Sequence, residues 1–163
     1  MTHTINKSKY RKQQGALSVE AMMVIGGVIV ALMFIMTKIP VIMYKINVSK
    51  FTSQAAEIVQ ETQGRPNLAK LTIPILCKRN ALSENICGEA DNGIGTNPFG
   101  GDWILKGNSS SVALIDITAT MPNDADHVLD LADLMAPTTR AGCSEADGCS
   151  TIKTTSTSII MTY

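Results

Sequence analysis

The sequence predicts an α+β chain in which one long N-terminal α-helix packs on an antiparallel β-sheet. Three observations point there. An apolar run near the N-terminus merges into an amphipathic helical pattern. The remainder of the chain is rich in Ser, Thr, Asn and Gly and holds only short segments, several of them strand-like. The helical pattern comes first and the strands later, the order of a segregated helix-on-sheet packing. The chain of 163 residues has room for one compact domain. Basic and acidic residues balance at 14 each, which argues against a strongly basic nucleic-acid binder and against an acidic disordered tail.

Residues 1–15, MTHTINKSKYRKQQG, carry Lys7, Lys9, Arg11 and Lys12 and no acid. The rest of the chain keeps 10 basic and 14 acidic residues, a formal charge of −4. A short cationic head before an apolar run stays on the cytoplasmic side and fixes the orientation of that run. An ordinary secretory signal is disfavoured, because the run ends in Thr37-Lys38-Ile39-Pro40 and lacks the small residues of a cleavage site.

Residues 21–37, AMMVIGGVIVALMFIMT, hold no charge. With their apolar flanks they reach roughly 40 Å as a helix, enough for a bilayer core of about 30 Å. A core helix of a soluble domain needs a polar face, and Ala21 to Met36 has none. Glu20 stands at the head of the run. A carboxylate among apolar residues either has a partner or lies solvated at headgroup level. Gly26-Gly27 and Pro40 weaken the helix and mark points where it can bend.

The helical pattern continues past Lys38. Ile39, Ile42, Met43, Ile46, Phe51, Ala55, Ile58 and Val59 recur at three- and four-residue spacing. Lys45, Asn47, Lys50, Ser53, Gln54, Glu57 and Glu61 fill the other face. Gly64-Arg65-Pro66 ends the helix, with Gly64 as C-cap. From Leu17 to Gln63 the rod measures roughly 70 Å.

Beyond it, residues 67–79 are apolar enough for a short helix that Pro74 interrupts, and Ala81 to Asn85 make a helical turn. Gly88 to Gly101 is a loop whose exit Pro98 fixes. Trp103 to Lys106 reads as a strand and Ser111 to Met121 as its alternating antiparallel partner. A helix comes next over Ala125 to Met135, capped by Asn123 or Asp124, with Val128, Leu131, Leu134 and Met135 buried. The Thr-rich segment from Thr151 is β-prone, and Ser158 to Tyr163 is the last strand.

Cys77, Cys87, Cys143 and Cys149 all lie after the apolar run. Their spacings lack the close pairs of a zinc site, and the even count fits disulfides in an oxidising compartment. Three connectivities are open. Cys77–Cys87 with Cys143–Cys149 is favoured, because each pair closes a local loop. The alternative couples the early pair to the late one. No catalytic constellation, metal-ligand set, P-loop or dinucleotide fingerprint is present, so no enzyme and no cofactor is predicted. His127 near Asp124 and Asp130 reads as a solvated or capping residue.

The segment Gly15-Ala16-Leu17-Ser18-Val19-Glu20, a basic leader before it and an uncharged run after it, resembles the processing site of type IV prepilins. The resemblance implies cleavage by an inner-membrane prepilin peptidase between Gly15 and Ala16 and N-methylation of Ala16. It places Glu20 fifth in the mature chain, where its carboxylate pairs with the Ala16 α-ammonium of a neighbouring subunit. Ala16 is not the Phe of the largest subgroup, and the 148 residues left after cleavage lean toward the type IVb-like branch. Asn97-Pro98-Phe99-Gly100 is similar to the loop leading into the sheet of that branch.

The organisation implied is a removed leader at 1–15, a membrane-spanning and filament-core helix at 16–44, its amphipathic continuation at 45–63 and a globular domain at 64–163, the pilin lollipop. The implied function is a structural subunit of a surface filament for adhesion, aggregation or conjugative contact. Its partners are copies of itself, the prepilin peptidase and an inner-membrane assembly platform with its ATPase, and it involves no nucleic acid. It waits in the inner membrane and ends in an extracellular pilus. A minor pilin or a type II secretion pseudopilin shares the N-terminal logic, although pseudopilins more often carry a calcium loop and no disulfides. A third class is an uncleaved, single-pass membrane-anchored periplasmic binding domain.

Overall fold

The structure is a computed structural model that describes residues 18–163. The leader, Gly15 and Ala16 lie outside the described residues. The class is α+β: a long N-terminal helix, α1 (Val19–Thr62), packs against a four-stranded antiparallel sheet. The chain divides into two compact units, Met1–Ile42 and Met43–Tyr163.

The described part of the first unit is the apolar half of α1. The helix starts where Ser18 Oγ accepts the Ala21 N–H at 3.3 Å, an N-cap that satisfies one of the orphan donors of the first turn. It continues through Gly26, Gly27 and Pro40.

In the second unit, Phe51, Ala55 and Ile58 form the buried stripe of α1 at the spacing of one helical face. They meet the inward residues of the sheet. The strands are β1 (Trp103–Gly107), β2 (Ile115–Thr120), β3 (Ile152–Thr154) and β4 (Ser158–Thr162), in the spatial order β1-β2-β4-β3. Burial alternates along them, so Trp103, Leu105, Ile117, Ala119, Ile159 and Met161 point to the core. Phe51 lies 4.7 Å from the Trp103 ring and 5.7 Å from Phe99, centroid to centroid.

Short helices close the rest of the unit: 3₁₀ turns at Leu68–Lys70, Ala125–His127 and Ala136–Thr138, α2 (Ile73–Lys78), α3 (Glu84–Cys87) and α4 (Val128–Met135). Pro74 does not interrupt a helix as its position suggests. It sits in the first turn of α2, where its missing N–H has no intrahelical partner to lose. The helical turn near Ala81 begins later, at Glu84. Ser83 there donates its N–H and its hydroxyl to the Glu57 carboxylate, so a residue expected on the solvated face of α1 holds the start of α3.

The second strand is shorter than its alternation predicts. Ser111 to Leu114 form a turn in which Ser111 Oγ accepts the Ala113 N–H and Asn108 Oδ1 accepts the Ser110 N–H. Short polar side chains there bond the local backbone and compete with the ladder. The helix predicted over Ala125 to Met135 splits into a 3₁₀ turn and α4. Leu134 is 50% exposed and Ala132 is buried in its stead. The face i, i+3, i+4, i+7 runs through Val128, Leu131, Ala132 and Met135, and Leu134 lies about 100° round from Met135. Asp124 occupies the cap position before the 3₁₀ turn, but its side chain makes no capping bond.

Asn97 is buried and staples the loop before β1 to β2. Its Nδ2 donates to Thr120 O at 2.6 Å, and its Oδ1 accepts the N–H groups of Phe99 and Gly101 at 2.9 and 3.1 Å. A Cβ at Gly101 would meet Thr120 O at 1.9 Å, so this close approach requires glycine. Of the three connectivities open to four cysteines, the structure holds the two local pairs, Cys77–Cys87 and Cys143–Cys149. In the chain-entropy model, loops of 10 and 6 residues contribute about 2–3 kcal/mol each.

Phe51 joins α1 to the aromatic centre of the core and is fully buried. Phe51→Ala is expected to lower the unfolding free energy of this unit by about 3–5 kcal/mol. Urea unfolding of the full chain in detergent, monitored by Trp103 fluorescence, reads the change.

Candidate functional site

The candidate site is the apolar half of α1 with the acid at its head. From Val19 to Ile42 the large apolar side chains are 45% to 73% exposed on every side of the helix. Burial is the ordinary fate of such residues. A helix apolar all round, and long enough, suits a lipid or a packed bundle of helices better than water. It is the one helix among the described residues long and apolar enough to cross a membrane. Membrane anchorage is therefore consistent with its length and composition.

Glu20 lies in the first turn, the second residue of α1 after the Ser18 cap, and is exposed. The unsatisfied N–H groups and the positive end of the helix dipole both favour a carboxylate there. Position thus supplies part of what an acid bordering lipid needs, and leaves its side chain open to a partner. The Ser18 cap is a signal that sequence reasoning passed over: a Ser just before an apolar run is an N-cap pattern, and Ser18 reads equally as part of the run. A Cβ at Gly26 or Gly27 meets nothing within 4 Å. Nothing in this chain requires glycine at either position.

In the second unit the four predicted cysteines form two separate clips. Cys77–Cys87 ties α2 to α3, and Cys143–Cys149 closes the loop before β3. His127 stacks on Tyr44 at 4.4 Å between centroids, and its Nδ1 lies 3.3 Å from Asp130 Oδ2. No nucleophile stands in hydrogen-bond contact with this pair among the described residues. No group of three His, Cys, Asp or Glu side chains that could hold a metal ion is present among the described residues.

A groove of about 240 Å³ runs along the amphipathic half of α1, lined by Ala56, Val59, Gln63, Met135, Thr138 and Tyr163 among others. Burial pushes the Tyr163 phenol above its ordinary value, and the hydrogen bond with Thr138, 3.0 Å long, opposes the shift in part.

No family model, no curated protein and no solved structure matches this chain.

The raised Tyr163 phenol has a direct consequence for stability. Its neutral form is favoured more by the folded than by the unfolded chain. That contribution is complete below the unfolded value near 10 and is lost as pH rises through the higher folded value. Tyr163→Phe is expected to flatten the alkaline limb of the stability curve, with little change at neutral pH, in denaturant unfolding from about pH 8 to about pH 11.

Proposed function

We propose that this chain is the subunit of a type IV pilus-like filament, held in the inner membrane by the apolar half of α1 until assembly. The observation that carries the reading is an uncharged helical run, exposed along its length, with one acid in its first turn.

Lipid tails and a neighbouring apolar helix are similar solvents for such a surface. Moving from one to the other gains mainly van der Waals packing and changes hydrophobic burial little. Register along the filament must then come from polar groups. After cleavage between Gly15 and Ala16, the new α-ammonium is a cation four residues before Glu20 in the chain. In a stack of subunits, the ammonium of one copy meets the Glu20 carboxylate of the next. Each charge is expensive to leave unpaired away from water, so a misregistered subunit is rejected. Such a pair sets specificity more than it adds stability. Gly26 and Gly27 leave a notch in the helix surface where another backbone can approach closely.

The two disulfides fit a unit that works in an oxidising compartment, on the far side of the membrane from the basic leader. By resemblance, the partners are further copies, the prepilin peptidase, and the assembly platform with its ATPase. The mature filament lies outside the cell, where adhesion, aggregation or conjugative contact is its work. A minor pilin or pseudopilin would share the N-terminal chemistry and be scarce in surface filaments.

The mass of the N-terminal peptide of material sheared from the cell surface tests the reading. A chain beginning at Ala16, with or without a methyl group, is expected; surface material beginning at Met1 rejects processing and favours the uncleaved anchored domain. Replacing Gly15 by a bulky residue is expected to leave full-length protein in the membrane and no fibres. Glu20→Val is expected to be cleaved normally and to reduce filaments at least tenfold by quantitative immunoblot of the sheared fraction. Normal piliation in Glu20→Val would remove the pairing role.

A further inference from the structure

The sheet has two edges, and they are treated differently. The β1 edge is covered: Trp103 N–H donates to Gly93 O at 2.9 Å, and Gly107 lies so close to Ala69 that a Cβ would fall 2.4 Å from its Cα. The β3 edge is open. In the β3–β4 ladder, Thr155 N–H donates to Ser158 O at 2.9 Å and Thr162 N–H to Thr151 O at 2.8 Å. The register pairs Ile152 with Met161, Lys153 with Ile160 and Thr154 with Ile159. Antiparallel ladders alternate, so residues 151, 153 and 155 bond β4 and the N–H and C=O of Ile152 and Thr154 point out of the sheet.

The same two residues line a groove of about 440 Å³. Its other walls are Leu129 and Asp133 of α4 and the Glu145-Ala146-Asp147 stretch of the loop closed by Cys143–Cys149. Asp133 Oδ1 accepts the Ala146 N–H at 2.8 Å and holds the loop to the helix. Three carboxylates line the groove with no cation, and none of them belongs to an ion pair among the described residues. Leu129 is 64% exposed and adds an apolar rim. Lys153 alternates to the opposite face of the sheet.

We propose that this groove binds an extended, lysine- or arginine-bearing segment of a partner protein, which adds as a fifth strand on β3. The outward groups of Ile152 and Thr154 supply main-chain hydrogen bonds to any extended chain. The period of two then sets alternate ligand side chains against the groove, where Asp133, Glu145 and Asp147 select cations over neutral or acidic ones. Charge also rejects other occupants. Pairing β3 with the β3 of a second copy is isologous and sets the same three acids against one another. Phosphate-bearing surfaces are repelled. Binding at this edge does not depend on the pilus reading. The competing reading makes the acids only guards against edge-to-edge pairing, and it predicts no binding at all.

Hydrogen exchange on the full chain in detergent decides between them. The probe is a blocked hexapeptide of alternating Lys and Val, compared with its Glu-Val counterpart. The Lys peptide is expected to slow exchange of the Ile152 and Thr154 amides and to leave Lys153, already in the ladder, unchanged. Glu145→Gln with Asp147→Asn, both exposed, is expected to weaken binding about tenfold while Trp103 fluorescence stays native. Added salt is expected to weaken it further. Equal binding of the Glu peptide, or Lys-peptide binding without protection at Ile152 and Thr154, overturns the proposal. So does the absence of binding, which leaves the guarding role. Protection that rises with protein concentration and needs no peptide overturns it in favour of a second copy.

Discussion

One helix carries two different surfaces, apolar all round and then amphipathic, and the rest of the chain is shaped by the second. From Ala21 to Met36, α1 has no polar face and exposes apolar side chains all round. From Met43 the same helix carries a buried stripe and a hydrated flank. The change needs no break in the backbone, because an α-helix closes its own hydrogen bonds in lipid and in water alike. What changes is only the pattern of side chains. The apolar half cannot find burial within itself, and its length and composition suit a membrane or a packing of other helices. The amphipathic half can be completed by one sheet, and the sheet's alternation supplies that surface.

Polar side chains fix the second unit where apolar packing alone would leave freedom. Trp103 Nε1 donates to Gln54 Oε1 at 2.9 Å, and Gln54 Nε2 donates to Asn85 O. Glu57 holds Ser83, and Asn97 joins the loop before β1 to β2. Asp116 Oδ1 accepts from Asn108 and from Thr162 on the outer face of the sheet. No buried side-chain nitrogen or oxygen among the described residues lacks a partner. A hydrophobic stripe tolerates sliding by a turn, whereas a slide here would leave the buried Trp103 Nε1 and the buried Asn97 amide without their partners. Gln54 and Glu57 thus lock α1 in register with residues 26 to 49 positions further along the chain.

This division explains what the sequence makes legible. Period and composition show the long helix, its change of character, β1, β4, the α4 face at Val128 and Leu131, and the local disulfides, because each has a local cause. The roles of Gln54, Glu57 and Asn97 do not show, because a residue on a polar face looks the same whether it meets water or a distant backbone. β3 has three residues and no period to detect. Pro74 misleads because the same residue starts a helix as readily as it ends one, and only its place in the first turn decides. Leu134 misleads because apolar character was stronger than its angular position. At the N-terminal site, Glu20 and the uncharged run are visible in sequence. The Ser18 cap depends on where the helix starts, which spacing fixes only to within a residue or two.

If the chain is a filament subunit as proposed, the place of Glu20 bears on how it stays in a membrane before it meets a neighbour. A carboxylate in the middle of the run would need a partner at once. In the first turn, beside orphan N–H groups and the positive end of the dipole, it is partly compensated by its own helix. That compensation falls off within one turn, so on the proposed reading the acid would tolerate a wait at the boundary without becoming indifferent to a cation. An acid placed one turn later would be costlier to hold in lipid, and one placed before the cap would lose the helix field. On the proposed filament reading, position in the first turn therefore balances two demands: a waiting subunit that lipid accepts, and a charge that still discriminates when another subunit arrives.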